Sequence, residues 1–72
     1  MLIADELKVY AVGGRRVVFV RMGSAERLRE HLGSRGFPSG LTRQPGAGFD
    51  RLELERHADV EEAQAALDEW PR

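Results

Sequence analysis

Two alternating, β-branched runs flank the pair Gly13-Gly14, and this stretch, Leu7 to Met22, constrains the fold more than any other. A two-residue type I′ turn needs φ > 0 at both central positions, and two glycines supply it without steric strain. Such a turn sets the register. Val12 faces Arg15, Tyr10 faces Val17 and Lys8 faces Phe19 on one side of the ribbon. Side chains alternate along a strand, so the other side carries Leu7, Val9, Ala11, Val18, Val20 and Met22, interrupted only by Arg16. That second side is the predicted core face. The first is mixed: Tyr10, Val12, Val17 and Phe19, ringed by Lys8, Arg15 and Arg21.

The 72 residues make one domain, 1–72, with no room for a second core. A chain of this size buries roughly 60% of its unfolded surface and reaches a stability of about 3–5 kcal/mol, a margin that self-association often raises. There is no cysteine, which removes disulfides, thiolate metal sites and thiol catalysis. No run approaches the ~18 apolar residues of a membrane span. The start, Met-Leu-Ile-Ala-Asp-Glu, is neither basic nor long enough for a signal peptide. A cytoplasmic protein without membrane contact is expected. Charge is unevenly distributed: residues 8–43 hold eight basic residues against two acidic, and residues 44–72 hold three against eight. The split fits either a dipolar surface that steers an acidic partner or favours head-to-tail self-contact, or two solvated helices of opposite sign.

The rest of the chain divides at its turn residues. Leu2 to Glu6 is a lead-in. After the strands Leu7–Val12 and Arg15–Met22, Ser24 is placed to cap a helix with Glu26 in its first turn. Ala25, Leu28 and Leu32 recur at helical spacing, and Gly36 suits the C′ position after Arg35. Phe37 re-enters the core as an anchor. Leu41 to Gln44 reads as a third strand, and Pro45-Gly46-Ala47-Gly48 as a turn. Phe49 to Arg56 reads as a fourth, with Leu52 and Leu54 on one side and Phe49, Arg51, Glu53 and Glu55 on the other. Asp59 with Glu62 makes a capping box. It opens a helix whose stripe is Val60, Ala63, Leu67 and Trp70, with Ala66 beside it; Pro71 ends it.

The implied order is β-β-α-β-β-α. A strand–helix–strand crossover is right-handed and leaves a gap between its two strands for the fourth. The predicted architecture is therefore α+β: a four-stranded antiparallel sheet in order 1-2-4-3 with both helices on one face. From the second strand onward this is the βαββα of a ferredoxin-like fold, with the first strand on the edge where that fold's last would lie, as in a circular permutant. One sheet face is then bare. It carries Lys8, Tyr10, Val12, Arg15, Val17, Phe19, Arg21, Phe49, Arg51 and Glu53.

A contiguous exposed patch with aromatic side chains normally marks a contact. The reading is a small non-enzymatic domain whose bare face mediates self-association, most simply a homodimer, or binds a protein partner. The alternative is a module for single-stranded nucleic acid, with bases on Tyr10 and Phe19 and phosphates on Lys8, Arg15 and Arg21, or for a glycan. Arg15 to Met22, Arg-Arg-Val-Val-Phe-Val-Arg-Met, resembles the RNP1 strand of RNA-recognition motifs. It keeps Phe19 but has Arg16 in place of glycine, and Val17 and Met22 in place of aromatics. Val18 to Trp70 resembles the SPOR peptidoglycan-binding domain through its strand, Gly-Ser, helix, Arg-Gly-Phe-Pro, hairpin and Val-Glu-Glu-Ala-Gln-Ala-Ala-Leu. The second resemblance implies a βαββα fold and a glycan as ligand.

Catalysis finds little support. His31 and His57 belong to no metal-spaced set, and Ser24 and Ser39 sit at a cap and a bend. The chain has no asparagine, so an acylphosphatase-like site lacks its carboxamide. Glu61-Glu62 and Asp68-Glu69 are adjacent on a helix and diverge by about 100°. Pro45-Gly46-Ala47-Gly48 has no following helix to bind phosphate. No cofactor and no metal are expected.

Overall fold

The computed structural model describes residues 7–43, 46 and 48–71. The hairpin forms as the double glycine dictates. Strands β1 (Val9–Val12) and β2 (Arg15–Arg21) pair antiparallel, with Val12 opposite Arg15 and Tyr10 opposite Val17. Gly13 and Gly14 have φ of 57° and 81°, the left-handed region that a type I′ turn uses at both centres. There follow α1 (Ala25–Ser34), β3 (Ser39–Thr42), β4 (Phe49–Leu54) and α2 (Val60–Asp68). The sheet is antiparallel throughout, in the expected order β1-β2-β4-β3.

Strand β3 begins two residues before the expected Leu41, because Ser39 already stands opposite Leu54 and Leu41 opposite Leu52. The lead-in Leu2–Glu6 and most of the turn after β3, Gln44, Pro45 and Ala47, lie outside the described residues.

Both helix ends follow local chemistry, with one correction. Helix α1 ends in a Schellman motif: Phe37 N donates to Leu32 O at 2.8 Å and Gly36 N to Gly33 O at 3.1 Å. Gly36 takes φ of 90° there, where a Cβ would be strained. Asp59 caps α2, its Oδ1 accepting from Glu62 N at 3.0 Å. Ser24 sits at the start of α1, but its hydroxyl makes no capping bond. Its backbone is already helical, with φ −110° and ψ −6°, whereas a capping side chain reaches back from an extended residue. Buried Asp50 instead shares a cleft with Gly23, Ala25 and Glu26 at that end. A carboxylate there complements the positive end of the helix dipole.

The core lies between the sheet and the two helices. Val9, Val18, Val20, Leu52 and Leu54 meet Ala25, Leu28 and Leu32 of α1 and Ala63, Ala66 and Leu67 of α2, with Phe37, Val60 and Trp70 packed at the margin. Two expected core residues are outside it. Ala11 is exposed at the hairpin end, and Met22 is 54% exposed because β2 stops at Arg21 and the chain turns. Arg16 is accommodated by donating from Nε to Ala58 O at 3.0 Å.

Polar side chains join the elements. His31 Nε2 donates to Ala66 O at 2.8 Å, tying α1 to the last turn of α2, and Arg35 pairs with Glu69 at 3.0 Å nearby. Gln64 guards the outer edge of β1: its Oε1 accepts from Val9 N at 2.9 Å and its Nε2 donates to Leu7 O at 3.3 Å. The carboxamide takes the place of a neighbouring peptide, so part of an edge that would template another strand is occupied. Gln64→Leu therefore leaves a donor and an acceptor unmet, at a cost of roughly 1–2 kcal/mol. A lower urea midpoint, with concentration-dependent growth in light scattering, is the expected result; an unchanged midpoint removes the clamp's role.

Candidate functional site

The register sets the composition of the open face in cross-strand rows. One row runs Tyr10, Val17, Glu53, Gly40, and the next contains Phe19, Arg51 and Thr42. Val12 faces Arg15 at the hairpin end, and Arg21 faces Phe49 at the other. Lys8 shares the face by alternation, its Nζ lying 6.0 Å from the centre of the Tyr10 ring. Lys8, Tyr10, Val12, Arg15, Phe19, Arg21, Phe49, Arg51 and Glu53 thus lie on one surface, as expected, and Val17 is the exception.

The three rings form a continuous diagonal across three strands. Tyr10 and Phe19 have centroids 6.0 Å apart with planes at 55°. Phe19 and Phe49 stand at 5.3 Å and 78°, edge to face. Both geometries are favourable for aromatic pairs and add about 0.5–1.5 kcal/mol each. Even so, Tyr10 remains 44% exposed, Phe19 and Phe49 39% each, and Val12 60%. Val17 differs from the expectation. It is 6% exposed and so forms none of the surface.

Charge on this face is mostly positive. Among the described residues, Lys8, Arg15, Arg21 and Arg51 share it with one acidic residue, Glu53. Glu53 is engaged by Arg15 across the strands, Nε to Oε2 at 3.7 Å, with both side chains substantially exposed. Arg51, half-buried beside Phe19, behaves otherwise. Its Nε is buried with no hydrogen-bond partner, and no carboxylate among the described residues forms an ion pair with it.

Two features were not read from the sequence. Gly40 and Thr42 belong to the same face, and the absence of a side chain at Gly40 keeps the surface open beside Glu53. Their placement follows from the early start of β3. Asp50 is 2% exposed on the core side of β4, and the alternation Asp50, Leu52, Leu54 was the available signal. The histidines take separate places: His31 joins the helices and His57 is exposed in the turn before α2. Among the described residues no group of three His, Asp or Glu could hold a metal ion, and no helix is long and apolar enough to cross a membrane.

No family model matches this sequence, and no curated protein or solved structure matches it. The geometry of the face is therefore the ground for any functional reading.

If the rings are surface rather than core, truncating one is mild. Phe19→Ser is expected to destabilise the fold much less than Leu52→Ala, for which about 2–5 kcal/mol is usual at a fully buried leucine. Paired urea melts check this, and equal losses would move Phe19 into the core.

Proposed function

We propose that this chain is a non-enzymatic binding domain whose open sheet face mediates self-association or docks a protein partner. The observation that carries the reading is the ring cluster: Tyr10, Phe19 and Phe49 touch one another in a line yet stay about two-fifths exposed. Apolar side chains gathered this way are more than singly scattered surface residues, and such a patch marks a site of contact. Tyrosine and arginine, both present here, are also side chains that concentrate binding energy at interfaces.

Ring geometry favours a protein surface over nucleic acid. Base stacking needs ring faces free to receive a base, whereas Phe19 and Phe49 are set edge to face, so part of a ring face is already covered. What remains is a contoured apolar surface suited to aliphatic and aromatic side chains. Single-stranded nucleic acid and glycans are the competing ligands, and the cations beside the rings make the first of these the stronger rival.

Solution mass by size exclusion with light scattering, across protein concentration and salt, tests self-association directly. Phe19→Asp introduces a charge into the centre of the patch and is expected to abolish any dimer, or any captured protein partner, while the fold persists. A dimer or complex unchanged in Phe19→Asp places the contact elsewhere on the molecule. Binding of a thymidine oligonucleotide that fails in the same variant would transfer the face to nucleic acid.

A further inference from the structure

We infer that the occupant of the open face is a segment of a different protein that carries acidic side chains among large apolar ones, with one carboxylate received by Arg51. This inference rests on the docking reading above and adds the chemistry of the partner.

Three observations support it. First, Arg51 is half-buried in the middle of the face, and no group among the described residues pairs with its guanidinium. A guanidinium is always charged and presents a rigid fork that matches a carboxylate in two parallel hydrogen bonds. Its natural neighbour, Glu53, two residues along the strand, is turned to Arg15. Second, Phe19 lies directly across from Arg51 and Phe49 two residues before it, so a carboxylate at Arg51 brings its neighbouring side chains onto the rings. Third, Lys8 and Arg51 lie on this face with no carboxylate among the described residues paired to either, and an acidic segment complements them.

The same charges oppose a second copy. A two-fold dimer sets a patch against itself, so the cations of one copy meet a patch with the same excess of positive charge among the described residues. The acidic surface a second copy does offer is α2, with Glu61, Glu62, Asp68 and Glu69. None of the large exposed apolar side chains is on that helix, so it meets the charges and leaves the rings uncovered.

The experiment titrates the intact chain with a short synthetic peptide of glutamate, leucine and phenylalanine, followed by amide chemical shifts and calorimetry. Controls are its twin with glutamine for glutamate, a glutamate-only peptide and a thymidine oligonucleotide. Shifts concentrated on the open-face residues of β1, β2 and β4, and an affinity at least about tenfold higher than either peptide control, are expected for one charge-assisted pair added to an apolar contact. R51M keeps the aliphatic stem and should lose a similar factor in affinity. Its thermal midpoint should stay the same or rise, because a cation whose Nε was buried and unmet is gone. R51K, which keeps the charge and loses the fork, should fall between. Equal binding of the glutamate and glutamine peptides on the face, or an unchanged affinity in R51M, overturns the role of Arg51 and leaves the docking reading standing. A dimer that persists in high salt and occupies the rings overturns the separate partner but again keeps the face as an interface. Absence of any shift on the face with all peptides, with tight oligonucleotide binding there instead, overturns both.

Discussion

Contact between one side of the β2–β4 ladder and the two helices is what the rest of the structure depends on. Val18, Val20, Leu52 and Leu54 stand together on that side, none more than 3% exposed. Each helix has a single apolar stripe, α1 through Ala25, Leu28 and Leu32 and α2 through Ala63, Ala66 and Leu67. Two such stripes require the same sheet face, because a helix over the other side would meet Arg15, Arg21, Arg51 and Glu53. The opposite face therefore lacks a covering layer. It compensates in part by covering itself, with three rings packed against one another. An open apolar surface is in this sense a by-product of how few apolar side chains a short chain can bring to one core.

Much of this was legible before the structure, for identifiable reasons. Gly13-Gly14 admits one tight turn, and that turn determines which side of β2 each residue occupies. With β2 placed, the handedness of the crossover leaves a single slot for β4, and the cross-strand neighbours of Phe19 follow. What escaped notice depended on tertiary context. Ala11 and Met22 have the correct parity for the core but lie past the reach of the helices. Ser24 has the right residue type and position for a cap, yet its backbone is helical and the buried Asp50 stands at that end instead. Val17 has the parity of the open face, and only its surroundings in the folded chain leave it buried.

Exposed strand edges and an exposed aromatic patch are both routes to indiscriminate association, and the fold restrains both. At the β1 edge a side-chain amide from α2 stands in for a neighbouring strand. At the other edge β3 is only four residues long, and Arg29 Nε donates to Ser39 O at 3.0 Å. Around the rings the restraint is electrostatic, since the mostly positive charge among the described residues opposes contact between copies of this face.

The four cations of the face differ in what a ligand could gain from them. Arg15 already interacts with Glu53, and both side chains are well exposed, so exchanging that carboxylate for another yields little beyond the 0–1 kcal/mol of a surface pair. Lys8 lies over Tyr10 and is exposed to water. Arg51 has lost part of its hydration to Phe19 and the strand beneath without gaining a protein partner. Coulomb attraction at 4 Å is about 1 kcal/mol in bulk water but about 4 kcal/mol at the effective dielectric of a protein surface, and a docked apolar segment excludes more water still. A carboxylate arriving with such a segment meets a cation whose desolvation is already partly borne by the folded chain. The apolar contact and the ion pair therefore reinforce one another at Arg51 more than at Arg15 or Lys8.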